Sequence, residues 1–141
     1  MSPTDTVSSF LRAVGARDVE SALRTVDPNV RVNFYGLGVS GTGVATLRPV
    51  LADTARAFPD LLLTVRRLMG LGSSVIAELT IEGTQADTYA GAINQEKHLD
   101  LNEAWRFEVD DGRIKAIDAY WCQQQLYRRL GVKRFDQIAI V

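Results

Sequence analysis

One carboxylate stands apart because of its neighbours. From Leu99 to Val109 the odd positions are Leu99, Leu101, Glu103, Trp105, Phe107 and Val109, and the even ones are Asp100, Asn102, Ala104, Arg106 and Glu108. Strand side chains alternate between faces, so this spacing sets Glu103 among five apolar groups and leaves the opposite face polar and solvated. An ionised carboxylate in an apolar wall loses its hydration, which raises its pKa unless a cation or N–H donors compensate. A carboxyl group titrating near neutrality suits a general acid or base. Two ordinary outcomes compete with this one: a β-bulge that turns Glu103 outward, or an ion pair with Arg66, Arg67 or Arg106.

The loop Asp110-Asp111-Gly112 decides what shares a face with Glu103. A three-residue loop with Gly112 left-handed sets Ile117, Ala119 and Trp121 beside it, whereas a two-residue Asp-Gly turn brings Asp118, Tyr120 and Cys122. The unbroken apolar face favours the first, so Trp105, Phe107 and Trp121 are expected to shape a cavity around the carboxylate. Asn33 and Tyr35 alternate with Val32 and Phe34. They are either hydrogen-bonding groups of the pocket or the outward polar members of an edge strand. His98 begins its strand on the polar face, and nothing sets a nucleophile beside it. Cys122, at a strand-to-helix junction, reads as a small hydrophobe rather than a reactive thiol.

The elements that must position these groups follow from periodicity. Val7, Phe10, Leu11 and Val14 keep helical spacing over 4–14, and Asp18 can cap a short second helix carrying Val19, Ala22, Leu23 and Val26. Asp27-Pro28-Asn29 reads as a turn before a strand over 30–35. Gly36 to Gly43 holds four glycines and reads as a loop. A third helix then carries Leu47, Val50, Leu51, Thr54 and Phe58 on one face, with Pro49 near its first turn. Strands are expected over 61–68, 74–82, 98–109 and 113–121, with a variable stretch at 84–97. A final helical turn through Leu126 and Leu130 ends at Gly131. The whole reads as one α+β domain over 1–131 with a tail over 132–141: a cone-shaped barrel whose curved antiparallel sheet holds three N-terminal helices on its concave face.

Composition narrows the function. The 141 residues carry 16 Lys and Arg against 17 Asp and Glu, a net charge of −1, so nothing pulls the chain toward nucleic acid or anionic lipid. One cysteine and one histidine exclude an internal disulfide and zinc sites built from several such residues. Gly36-Leu37-Gly38 and Gly41-Thr42-Gly43 lack the full spacing of a phosphate cradle, so no nucleotide cofactor is expected. Met1 to Thr6 has no basic segment leading into an apolar run, and no stretch is long enough to span a membrane; a soluble cytoplasmic protein is expected.

Several stretches resemble the SnoaL-like polyketide cyclases of the nuclear-transport-factor-2-like superfamily, which also holds ketosteroid isomerase and limonene epoxide hydrolase. They are A-F-P-D-L (57–61), I-E-G-T (81–84), W-R-F-E-V-D-D-G-R-I (105–114), A-Y-W (119–121) and L-G-V (130–132). The resemblance implies the cone fold, a homodimer, no cofactor and a hydrophobic small-molecule substrate. It sets Glu103 where ketosteroid isomerase keeps a protonated aspartic acid, and Trp121 on a pocket aromatic. Asn33 stands where that enzyme has its carboxylate base, and Phe10 where it has its oxyanion-hole tyrosine. Cys122 takes the place of the cyclase aspartate, Gly83-Thr84-Gln85 that of G-T-H, and Ala119 that of one epoxide hydrolase aspartate.

The expected function is therefore a cofactor-independent cyclase or isomerase acting on a polycyclic or polyketide-like molecule. Glu103 moves the proton, Asn33 with Tyr35 or Gln85 orients a carbonyl or water, and Phe10, Trp105, Phe107 and Trp121 contact the substrate. The alternatives are a non-catalytic small-molecule binder, an epoxide hydrolase-like enzyme, or a dimerising interaction domain that buries the outer sheet face and the Phe135 to Val141 tail against a partner.

Overall fold

A computed structural model of the chain describes residues 1–133; of the expected tail over 132–141, residues 134–141 lie outside them. Helix α1 (Pro3–Gly15) starts at Ser2, whose hydroxyl accepts from the Asp5 amide while the Asp5 carboxylate accepts from the Ser2 amide, a reciprocal cap. After α2 (Val19–Leu23), capped by Asp18, come strand β1 (Val26–Phe34), a single 3-10 turn (Tyr35–Leu37), β2 (Val39–Thr42) and helix α3 (Val44–Ala57). The second half is β3 (Leu62–Leu71), β4 (Ser74–Thr84), β5 (His98–Asp110), β6 (Arg113–Trp121) and α4 (Gln123–Arg129).

The six strands form one curved sheet ordered β2-β1-β6-β5-β4-β3. Helices α1 and α3 cover its apolar face, and α2 bridges them. Phe10 of α1 meets Phe107 edge-on at 5.7 Å between ring centres, and Phe34 meets Trp105 likewise at 5.3 Å, joining helix, first strand and fifth strand in one core.

The structure corrects four expectations. One strand pair, β1 with β6, runs parallel, because β6 returns across the sheet beside the first strand. The turn at Asp27-Pro28-Asn29 is a slip inside β1: Val26 pairs with Ile114 and Arg31 with Ala116, and Asp27 turns aside to meet Lys115 Nζ at 2.6 Å. The glycine-rich segment after Phe34 is not all loop, since Val39–Thr42 adds an edge strand to β1. Pro49 sits inside α3 beyond its first turn, where its missing N–H removes the helical bond to the carbonyl of exposed Ala45.

The β5–β6 hairpin reaches the expected facing by another route. Asp110 pairs with Arg113 across a two-residue turn in which Asp111 (φ 52°) and Gly112 (φ 71°) are both left-handed. Alone, that turn would bring Tyr120 opposite Glu103. A bulge at Lys115 shifts the register by one residue, so Glu103 pairs with Trp121, Trp105 with Ala119 and Phe107 with Ile117.

Candidate functional site

The row Leu79, Glu103, Trp121 runs across the inner face of β4, β5 and β6. The register through Glu103 is unbroken on both sides, so no bulge turns it out, and its residue is only 6% exposed. Trp105, two residues on along the same face, donates its indole N–H to Glu103 Oε1 at 2.8 Å. The other carboxylate oxygen accepts no hydrogen bond among the described residues. Among the described residues no arginine bonds to it: Arg66 donates to Thr80 Oγ1 and Arg106 to Asp118, both on the outer face. Burial therefore dominates and pushes the Glu103 carboxyl up to about 7, with the Trp105 bond opposing it.

Beside the carboxylate lies a cavity walled by Phe34, Leu51, Thr54, Tyr89, Trp105 and Trp121, with Val50 and Leu61 among the others. The space open to the centre of a water-sized sphere is about 20 Å³. That admits one or two small groups, since a single water needs roughly 10–15 Å³ on this measure. The Tyr89 hydroxyl lies 3.5 Å from Thr54 Oγ1, and burial, then the charge of Glu103, push its phenol up so that it stays protonated. The polar lining is thus a carboxyl that can ionise near pH 7 and hydroxyl groups that can donate.

Trp105 and Trp121 both wall this cavity. The Trp121 indole N–H donates to Gln123 Oε1 at 2.7 Å and lies against Gly36, where a Cβ would come within 2.4 Å of the indole nitrogen. Phe10 and Phe107 are fully buried one layer deeper and support Trp105 rather than line the space.

Three expected site residues are elsewhere. Asn33 is on the outer face, aligned with Asp118, to which its Nδ2 donates at 2.9 Å. Tyr35 is 55% exposed on that face and stacks on Tyr120. Strand alternation separates both from Glu103, because Val32 and Phe34 take the inner positions. Gln85 is buried but faces its own loop, donating from Nε2 to the carbonyl oxygens of Asp87 and Ala92, both at 3.0 Å. Cys122 is exposed, and its Sγ accepts from the Gln125 amide at the start of α4. Among the described residues no cluster of three or more His, Cys, Asp or Glu side chains gathers to hold a metal, and no helix is long and apolar enough to cross a membrane.

Thr54 and Tyr89 are the residues that sequence reasoning did not bring to the site. Thr54 carried a signal, a hydroxyl within the apolar stripe of α3, whereas Tyr89 lies in a segment without periodicity.

Trp105→Phe keeps the ring packing and removes one donor from an otherwise poorly solvated carboxylate. The midpoint of the Glu103 titration, followed by carboxyl ¹³C NMR, is expected to rise by about one unit. An unchanged midpoint would mean that the Trp105 bond carries no weight there.

The family of SnoaL-like polyketide cyclases matches residues 5–130, nearly the whole chain, and the protein belongs to it. Solved structures share the fold. A candidate SnoaL-like polyketide cyclase from Jannaschia sp. CCS1 is 16% identical with a TM-score of 0.83, over 94% of this chain and 93% of that one. TsrD from Streptomyces laurentii is 22% identical with a TM-score of 0.81, over 92% and 94%. IdmH from Streptomyces antibioticus, a candidate polyketide cyclase, is 21% identical with a TM-score of 0.79, over 94% and 100%. None of the curated proteins compared with the chain matches it. At these identities the likeness carries the architecture, and the chemistry must come from the site itself.

Proposed function

We propose that the protein is a cofactor-independent cyclase or isomerase in which Glu103 transfers a proton to or from a carbonyl-bearing hydrophobic molecule of the polyketide or polycyclic type. The observation that carries this reading is a carboxyl group buried in an apolar wall, bonded among the described residues by one indole and by no cation, beside a cavity. With a pKa near 7 it is partly ionised at neutral pH and can take a proton from a carbon next to a carbonyl group, then return it elsewhere. Tyr89 and Thr54, on the same cavity, replace the expected Asn33, Tyr35 and Gln85 as the groups that would orient the carbonyl oxygen.

A non-catalytic binder is the second reading, favoured by one observation. The positions where relatives of this fold were expected to carry further carboxylates hold Asn33, Ala119 and Cys122, and none of these side chains lines the cavity. Proton exchange separates the two. Incubated in D₂O with a panel of cyclic and polycyclic ketones, the protein is expected to catalyse deuterium uptake at the carbon beside the carbonyl of at least one, seen by ¹H NMR. A panel that binds without exchanging would favour the binder.

A homodimer, implied by the family, would sediment at twice the 15.5 kDa of the chain. A cytoplasmic setting suits the exposed thiol of Cys122, which a reducing compartment keeps free.

A further inference from the structure

The cavity beside Glu103 is too small to hold the body of a polycyclic or polyketide-like molecule, yet a larger hollow adjoins it. A surface groove runs between the outer side of α3 (Ala45, Thr46, Pro49), the turn 88–91 and Tyr127 of α4, and measures about 720 Å³ by the same water-sized sphere. The inner cavity and this groove share two walls, Val50 and Tyr89. Val50 belongs to α3, whose Leu51 and Thr54 face inward while Ala45, Thr46 and Pro49 face the groove.

Tyr89 comes from the turn. Its backbone is paired both ways with Ala92, at 3.1 and 2.8 Å, and the carbonyl of Ala90 accepts from the Tyr127 hydroxyl at 2.9 Å. The phenol ring rests edge-on against Phe58. Val50 and Tyr89 are thus the residues that stand between the two spaces. Charges at the groove rim are already matched: Arg56 donates to Asp53 at 2.7 Å and to Asp87 at 2.9 Å. An ionised ligand therefore finds no unpaired opposite charge there, whereas Pro49, Val39, Leu37 and two tyrosines offer apolar and ring surface.

We infer that this groove is a second subsite, which holds the uncharged, ring-bearing body of the substrate while its carbonyl end passes between Val50 and Tyr89 to reach Glu103. The inference rests on the acid–base reading for where the reacting end goes. The substrate is then an elongated molecule with its ketone at one terminus, not a compact polycycle enclosed in the cone.

The test compares cyclohexanone, which presents the carbonyl end without a body that reaches the groove, with 4-phenylcyclohexanone, which adds a ring on the far side from the carbonyl. In ¹H–¹⁵N NMR titrations the phenyl compound is expected to bind at least tenfold more tightly and to move the amide signals of Ala45, Thr46 and Thr88, which cyclohexanone leaves in place. Ala45→Trp and Thr88→Trp, both at exposed positions, fill the groove from opposite rims. Each is expected to cut the affinity for the phenyl ketone about tenfold and to leave that for cyclohexanone within twofold. Equal affinity for the two ketones, failure of the phenyl ketone to bind, or an advantage that survives both substitutions would overturn the subsite. Because these measurements read binding alone, loss of the acid–base reading would show separately, as a retained tenfold preference without deuterium exchange.

Discussion

Glu103→Gln is expected to lower turnover by about 10²- to 10⁴-fold, the usual contribution of a positioned proton-transfer group, while making the protein more stable above neutral pH. The amide is nearly isosteric and can still accept the Trp105 N–H at 2.8 Å, but it cannot ionise. The two effects have one cause. Burial raises the folded-state pKa from 4.5 to about 7, so the folded protein holds a proton that the unfolded chain has released. The corresponding stabilisation is complete below about 4.5 and is lost as pH rises through 7. At pH 8 the ionised carboxylate costs the native state up to about 3 kcal/mol. For a chain of this length that corresponds to a difference of about 10 °C in Tm between Glu103→Gln and the parent at pH 8. The difference should vanish at pH 4, and thermal unfolding across that range measures it. The parent's kcat should fall below an inflexion near pH 7 if the ionised form acts as base. A glutamine variant that turns over at the parent rate would remove Glu103 from the mechanism, whatever its effect on stability.

Glu103 was legible because β5 is long, central and regular: eleven alternating residues leave one facing, and the sheet buries it. The hairpin was legible only in outcome. The sequence suggested a three-residue loop, whereas a two-residue turn and a bulge at Lys115 together produce the same facing, and the bulge leaves no mark in the residue pattern. Asn33 shows two kinds of reasoning in conflict. Alternation with Val32 and Phe34 allowed an outward position, position-matching to ketosteroid isomerase favoured an inward one, and the pleat decides for alternation. Tyr89 could not be read at all. Its place depends on a turn with Ala90 and Gly91 both left-handed, seated on Phe58 from another element, and such long-range support has no local signal. The parallel pairing of β1 with β6 is of the same kind, and it is what gathers the outer-face charges around Asp118.

Asp118→Ala is expected to cost about 2 kcal/mol at pH 7, read as a fall of about 7 °C in Tm. Strand alternation set this aspartate on the outer face, where a solvated side chain is the ordinary expectation, yet its side chain is only 3% exposed. Arg31 from β1 and Arg106 from β5 close over it at 3.2 Å, and Asn33 donates at 2.9 Å. Burial alone would raise its pKa, but the bonds from Arg31, Asn33 and Arg106 outweigh that and hold it at about 2. The sign is opposite to that of Glu103. The stabilisation is present above the ordinary value of 3.8 and is lost as pH falls toward 2, so the gap between parent and variant should narrow in acid. Both arginine side chains are 50% exposed, so they regain water when the carboxylate goes, which keeps the loss below that of a fully enclosed pair. Part of the effect should also screen away in 1 M salt. Because Asp118 and Glu103 project from opposite faces of the same sheet, the inflexion near pH 7 should stay in place in Asp118→Ala. A shift of that inflexion would show that the outer cluster sets the position of β5, and that the two faces act as one unit.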